Sequence, residues 1–107
     1  MIVATLLSAV MLGGGLHGVV TRGPTTPVCV VDTPCSAPAK HVRVSFLRGG
    51  RAYRTITDLN GRYRIELAPG RYTVRVSGDQ FGVRPATVVV PRGRFARQNL
   101  YVDTGIR

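Results

Sequence analysis

Short segments in which apolar and polar residues alternate recur through this chain, and they constrain its fold more than any other feature. Val42, Val44 and Phe46 alternate with polar neighbours, and later segments keep the same period of two. That period places successive side chains on opposite faces of a β-strand, and no helical repeat competes with it. Seven short strands at this spacing predict an all-β, antiparallel Greek-key β-sandwich. The predicted strands are residues 17–22, 42–46, 53–57, 63–67, 72–76, 87–90 and 95–103.

Two turns divide the central strands. In residues 58–61, Asp58 can accept backbone N–H bonds and Gly61 supplies a positive φ. In residues 68–70, Pro69 presets φ and Gly70 reverses the chain, which predicts a hairpin between 63–67 and 72–76. The alternation then predicts one inward face for that hairpin, made of Tyr63, Ile65, Leu67, Tyr72, Val74 and Val76.

The first residues have the character of an export signal. An apolar run over 2–12 is followed by three glycines, and it is too short to span a bilayer. We predict a signal peptide over residues 1–15, which places the protein in the cell envelope or outside the cell. No Lys or Arg precedes the run, so two alternatives stay open: a first strand, or an uncleaved anchor that would be its one link to a membrane. Residues 16–107 would form one β-sandwich domain.

The charge of the chain is strongly positive. Fifteen Lys and Arg residues against five Asp and Glu residues give a net charge of +10, and all but one of the cations are Arg. This balance favours an acidic partner, such as an anionic polysaccharide or another envelope component. It is also the composition expected of a GC-rich bacterial genome. Export and the absence of a stacking-aromatic motif argue against specific recognition of nucleic acid.

A Pro-rich loop over residues 23–40 contains both cysteines, Cys29 and Cys35. Two cysteines behind an export signal predict a disulfide, which would close a short loop and stabilise the fold by about 2 kcal/mol. The alternative is a metal site with His17 and His41, but the spacing of the cysteines is not one that zinc sites use. We therefore predict no metal and no cofactor.

Four arginines are the best candidate ligand-binding residues. If 63–67 and 72–76 form a hairpin, the polar positions of both strands share its outer face. Guanidinium groups pair well with carboxylate, sulfate and phosphate, so this face would bind a polyanion weakly. The alternative is a solvated outer face without a ligand. The four are Arg62, Arg64, Arg71 and Arg75.

One stretch carries a family resemblance. Residues 57–74 read TDLNGRYRIELAPGRYTV, which resembles the T-D-x-x-G-x-[FY]-x-x-x-L-x-P-G-x-Y-x-V pattern of carboxypeptidase regulatory-like domains. The resemblance implies the seven-stranded transthyretin-like (prealbumin-like) sandwich and an accessory module without catalytic activity. The chain also resembles a group of small exported bacterial proteins in the two cysteines near its start and in its terminal residues.

Catalytic chemistry has little support in the residues. There is no nucleophile elbow and no phosphate-cradling glycine loop. One hydrolase family has a transthyretin-like fold, but its Tyr-Arg-Gly-Ser terminus is not matched by residues 104–107. Lys40, Glu66 and Asn99 are of the types that form isopeptide crosslinks in pilin-like sandwiches, although the glutamate stands on the other side of its turn. Three functions are therefore weighed: a structural or binding accessory, a polyanion-binding module, and a small hydrolase.

Overall fold

The computed structural model describes residues 13–30 and 35–106, and within them the chain forms two β-sheets and no helix. Ten strands follow one another along these described residues. They are β1 (Gly15–Gly23), β2 (Ala37–Pro38), β3 (Arg43–Arg48), β4 (Arg51–Ile56), β5 (Arg62–Glu66), β6 (Gly70–Val76), β7 (Val83–Arg84), β8 (Thr87–Val90), β9 (Phe95–Arg97) and β10 (Leu100–Asp103). The all-β sandwich predicted from the alternation is confirmed.

The first sheet is organised around β1. The first half of this strand pairs with β5 on one side and β9 on the other. Its second half pairs with β2 and β10, and β7 pairs with the far side of β10. The second sheet has the order β4-β3-β6-β8, and every pair in it is antiparallel.

Two details of the predicted architecture are wrong. The sandwich is not wholly antiparallel, because β1 runs parallel to both β9 and β10. Parallel neighbours need a long connection, and here the whole second sheet lies between them in the chain. The predicted count of seven strands also differs from the ten observed, because residues 95–103 form two strands and β2 and β7 are pairs of residues outside the predicted set.

The inward face predicted from the alternation is confirmed. Tyr63, Leu67, Tyr72, Val74 and Val76 are buried in the core, and Ile65 is half-buried against it. Leu16 and Val20 of β1 and Phe46 of β3 are fully buried between the sheets. The rings of Phe46 and Tyr63 lie 5.9 Å apart between centroids and join the two sheets at the centre of the core.

The predicted hairpin across Pro69 and Gly70 is wrong. β5 pairs with β1 in the first sheet, whereas β6 pairs with β3 and β8 in the second. The turn therefore carries the chain from one sheet to the other. It is fixed at this crossing by the Tyr72 hydroxyl, which donates to the Ala68 carbonyl oxygen (2.7 Å), and by Arg48 Nη1, which donates to the Pro69 carbonyl oxygen (2.7 Å). Alternation alone does not separate the two cases, because both place the same residues inward.

The predicted disulfide between Cys29 and Cys35 is confirmed, with the two Cα atoms 5.5 Å apart. The base of its loop is closed by the Thr25 amide, which donates to the Cys35 carbonyl oxygen (2.8 Å). The C-terminal segment holds Pro24, the residue before Thr25, because Thr104 Oγ1 donates to the Pro24 carbonyl oxygen (2.6 Å). A Pro-rich segment without a core of its own is thus tied to the end of β1.

Most of the predicted leader, residues 1–12, lies outside the described residues. The glycines at its end belong to the first sheet: the Gly14 carbonyl oxygen accepts from the Leu67 amide (3.1 Å), and the Gly15 amide donates to the Arg94 carbonyl oxygen (3.2 Å). The signal peptide stays a prediction. Over 13–30 and 35–106, no helix has the length and apolar character needed to cross a membrane.

Candidate anion-binding site

The four arginines predicted to share one face lie on two. Arg62 and Arg64 point outward from β5 in the first sheet, and Arg71 and Arg75 point outward from β6 in the second. All four side chains are exposed, as the alternation predicts. Because the two strands belong to opposite sheets, their outward faces point away from a common core, and the predicted four-arginine surface does not form.

On the second sheet, Arg75 is already paired. Its Nε donates to Asp79 Oδ2 (3.0 Å) and its Nη2 donates to Asp79 Oδ1 (3.2 Å), which is the two-pronged geometry of strong Arg–carboxylate pairs. The hydrogen bond from Arg75 holds the pKa of the Asp79 carboxyl below its usual value. The same carboxylate also accepts from the Val76 amide (3.0 Å), so it both closes the turn after β6 and balances the charge of Arg75.

On the first sheet, Arg64 lies over the ring of Phe95, with Cζ 3.7 Å from the ring centroid. Register explains how a residue of β5 reaches one of β9: Arg64 stands opposite His17, Phe95 stands opposite Gly15, and β1 runs between them. The Arg64 side chain therefore crosses β1 to reach Phe95. This stacking fixes the direction of the Arg64 side chain while leaving its charge unpaired by a carboxylate within the described chain.

A recess of about 290 Å³ opens on this outer face, and basic residues from three neighbouring strands surround it. Across β1, Val19 stands opposite Arg62 of β5, and His17 stands beside Arg97 of β9. No Asp or Glu belongs to the lining, and the carboxylate that interacts electrostatically with Arg62, that of Asp58, lies outside it in the turn before β5. The lining residues are His17, Gly18, Val19, Arg62, Tyr63, Arg97 and Asn99.

The wall formed by Asn99 depends on an interruption of the parallel ladder. Between the β9 and β10 pairings, Asn99 Oδ1 takes the place of a backbone carbonyl and accepts from the Val19 amide (3.0 Å). The neighbouring Gln98 carbonyl oxygen turns inward and accepts from the Tyr63 hydroxyl (2.6 Å). Gly18 permits this approach, since a Cβ at that position would collide with the Gln98 backbone. With its Oδ1 engaged, the Asn99 side chain has its amide donors left for the recess.

The buried phenol that supports this wall stays neutral. Burial raises the pKa of Tyr63 well above its usual value of 10.0. The phenol therefore stays protonated at neutral pH and donates to the Gln98 carbonyl oxygen.

The turn before β5 positions Arg62. Asp58 Oδ1 accepts from the amides of Asn60 (2.8 Å) and Arg62 (2.9 Å), as expected from the turn motif. The Asp58 amide in turn donates to the Arg62 carbonyl oxygen (3.0 Å). The bond from the Arg62 amide, followed by that from Asn60, lowers the pKa of the Asp58 carboxyl. A fixed carboxylate thus holds the backbone at the edge of the recess.

Of the predicted site, the recess contains Arg62 alone. His17 was considered as a metal ligand and Asn99 as a crosslinking residue; both instead line the recess, whereas Lys40 lines a different cavity. Glu66 lies on β5 opposite Gly15. Within the part of the chain that the structure describes, no three His, Cys, Asp or Glu side chains gather as a metal site would require. Arg97 carried no sequence signal, because its place beside His17 follows from a parallel pairing of distant segments.

A profile of the carboxypeptidase regulatory-like domain family matches residues 25–103. The chain belongs to this family. The match covers nine of the ten strands and leaves out β1, which supplies the centre of the first sheet and the His17 side of the recess. Domains of the carboxypeptidase regulatory-like family are generally non-catalytic. Comparison with curated proteins finds no match. The disulfide is the kind of crosslink that persists in an oxidising compartment.

Proposed function

We propose that this carboxypeptidase regulatory-like domain is an exported, non-catalytic accessory module that binds anionic polysaccharide through the recess of its first sheet. The observation that carries the proposal is the meeting of Arg62, Arg97 and His17 around one concavity whose lining contains no carboxylate. The family supports the accessory role, and the disulfide supports a compartment outside the cytoplasm.

The recess offers hydrogen-bond donors of the right kind for an anionic sugar. Arg62 and Arg97 present planar guanidinium groups, which bind a carboxylate or sulfate through two parallel N–H bonds. They approach from strands on either side of β1, so a single anionic group between them can engage both. The Asn99 amide adds a neutral donor on the same side, suited to a sugar hydroxyl.

The surface around the recess suits a polymer more than a single anion. Arg84 belongs to the same outer face and lies over the ring of Tyr101, with Cζ 4.9 Å from the centroid. Arg64 lies over Phe95 on the same face. Both guanidinium groups are held in place by an aromatic ring while remaining exposed, so the entropy lost on binding a second and third charge is reduced.

Alginate, a polymer of sugar carboxylates, is a suitable probe, with binding measured by calorimetry at low and raised salt. We expect the double variant Arg62→Gln/Arg97→Gln to bind at least about tenfold more weakly than the wild type. Affinity of the wild type should fall as salt rises, because exposed charges are screened over about 8–10 Å at ordinary ionic strength.

The matched control is Arg43→Gln/Arg54→Gln, which removes the same charge from exposed positions on the second sheet. It should leave the affinity within about twofold of the wild type. Equal losses in the two double variants would show that net charge alone acts. Protein from the host culture completes the test: recovery from outside the cytoplasm, with a mass that shows loss of the predicted N-terminal signal peptide, supports export, and a cytoplasmic chain that begins at Met1 contradicts it.

A further inference from the structure

A second cavity, of about 530 Å³, opens between the two sheets at the end of the sandwich where β1 and β10 finish. We call it the cleft. It differs from the recess in position and in character, because it enters the interior between the sheets and its walls are largely apolar. Its lining residues are Arg22, Ala37, Pro38, Ala39, Lys40, Val42, Ser77, Gly78, Val102 and Thr104.

The cleft exists because small residues occupy the inner faces at this end. Along β1 the inward positions are Leu16, Gly18, Val20 and then Arg22, which stands beside Val102 of β10 and opposite Ala37 of β2. Leu16 and Val20 thus fill the core up to this end of β1. Beyond Val20, the first sheet contributes only Ala37, Val102 and Arg22 to the inner face. The opposite wall comes from Val42, ahead of β3, and from the Ser77–Gly78 turn after β6.

Buried hydrogen bonds hold the floor of the cleft rigid. Thr57 Oγ1 donates to the Ala39 carbonyl oxygen (2.5 Å) and accepts from the Val42 amide (2.9 Å). The Ala39 amide donates to the Val20 carbonyl oxygen (2.9 Å), and the Thr57 amide to the Val42 carbonyl oxygen (3.0 Å). The turn that carries Lys40 is therefore anchored on both sides by a threonine that is 1% exposed. A preformed cavity of this kind loses little entropy when it is filled.

The described lining of the cleft carries positive charge. Arg22 comes from an inward position of β1, and Lys40 stands at the turn on the other side of the opening. The lining includes no Asp or Glu, and no described residue makes a hydrogen bond or ion pair with the Arg22 guanidinium. Both cations are exposed at the opening, so an anionic group placed between them can form charge-assisted hydrogen bonds with the guanidinium and the ammonium group.

We infer that the cleft binds a small molecule with one carboxylate and a short, linear apolar body. The carboxylate meets the Arg22 guanidinium and the Lys40 ammonium group at the opening, while the apolar body contacts Ala39, Val42 and Val102 inside. The volume lies within the range of small-molecule sites. This site is independent of the recess, since no residue lines both.

The test uses octanoate, below its micellar concentration, with the methyl groups of Ala37, Ala39, Val42 and Val102 followed by NMR on the disulfide-intact protein. We expect saturable shifts confined to these methyls, and at least about tenfold weaker binding to Arg22→Gln. Octanol, which has the same chain without the charge, should bind weakly. The matched control is Arg92→Gln, which removes the same charge from the exposed turn between β8 and β9.

A filled cleft provides a second variant. Ala37→Leu places a larger apolar side chain into the opening and should abolish octanoate binding while the melting temperature stays the same or rises. Shifts spread over the outer faces, octanol binding as tightly as octanoate, or equal binding by Arg22→Gln and the wild type would each overturn the inference. Alginate binding by the same variants reports on the recess separately, so failure of one site is distinguishable from failure of the other.

Discussion

The two outer faces of the sandwich begin from the same pattern and end with different chemistry. β5 and β6 each alternate arginines with core residues, and both send those arginines into solvent. On the second sheet Asp79 takes up the charge of Arg75 through two hydrogen bonds. On the first sheet Arg62 meets Arg97 and His17 around a recess without a carboxylate.

The difference shows where a site comes from in a β-sandwich. Alternation along one strand decides which side chains face outward, but the neighbours across the sheet decide what those side chains meet. Arg62 gains its partners because β1 and β9 bring His17 and Arg97 alongside, whereas Arg75 has a carboxylate four residues later in its own turn. Exposed basic residues form a candidate site when pairing between distant strands places several of them side by side.

The largest expected effect comes from removing the support beneath the recess. Tyr63→Ala deletes the ring that packs on Phe46 and the hydroxyl that holds the Gln98 carbonyl oxygen. Loss of a buried aromatic side chain costs about 3–5 kcal/mol of unfolding free energy. Tyr63→Phe keeps the ring and removes only the hydrogen bond, with a cost of about 1–3 kcal/mol for the buried carbonyl left unpaired.

Urea unfolding measures both costs, and Arg64→Ala, on the next residue and exposed, is the control that should change stability little. If Tyr63→Phe matched the wild type in both stability and alginate affinity, the Gln98 contact would have no part in shaping the recess. If Arg64→Ala were as damaging as Tyr63→Ala, the assignment of inner and outer faces along β5 would be wrong.

A smaller effect is expected from making the second face resemble the first. Asp79→Asn leaves the Arg75 guanidinium without its counter-charge and adds one positive charge to that face. Arg75 is exposed although Asp79 is largely covered, and a pair of this kind at the surface contributes about 1 kcal/mol or less to stability, so the variant should fold. We expect it to gain alginate affinity even when Arg62→Gln/Arg97→Gln has disabled the recess, with calorimetry as the measurement.

Asp79→Ala is the companion variant, since it also frees Arg75 and differs in how it holds the turn. A gain of alginate affinity in both variants would show that pairing with Asp79 is what keeps Arg75 from binding the polymer. No gain in either would mean that an unpaired arginine on a flat sheet is not enough and that the concave shape of the recess is required.

Much of the fold could be predicted from local patterns, because those patterns act locally. The inward set from Tyr63 to Val76 follows from a period of two, and the disulfide follows from two cysteines in one loop. The sheet to which each strand belongs does not follow. Pro69 and Gly70 suit a hairpin and a crossing between sheets equally, and the outcome depends on whether β5 and β6 pair side by side or face each other across the core.

The candidate site was less predictable for the same reason. Asn99 contacts the Val19 amide from 80 residues away in the chain, through a parallel pairing that no short motif predicts. The signals that were present had more than one meaning: a glycine within a strand at position 18 indicates a close backbone approach, and His17 is an isolated histidine on a strand. Only the tertiary pairing turns these residues into one lining.

The smallest expected effect is a pH dependence that the two faces share. Asp58, in the turn before β5, and Asp79, in the turn after β6, each have a carboxyl pKa lowered below 3.8, the first by backbone amides and the second by Arg75. A carboxyl with a depressed pKa in the folded state contributes stability above its unfolded pKa, and that contribution is lost as the pH falls through the folded value. We therefore expect the unfolding free energy to decline on acidification between about pH 5 and pH 2.

Urea unfolding at several pH values, in the wild type, Asp58→Asn and Asp79→Asn, measures the share of each carboxyl in this decline, and each variant should flatten it. If Asp58→Asn flattened the decline and Asp79→Asn did not, the Arg75–Asp79 pair would contribute nothing to stability. The lack of alginate binding on the second sheet would then need another cause than the Asp79 carboxylate.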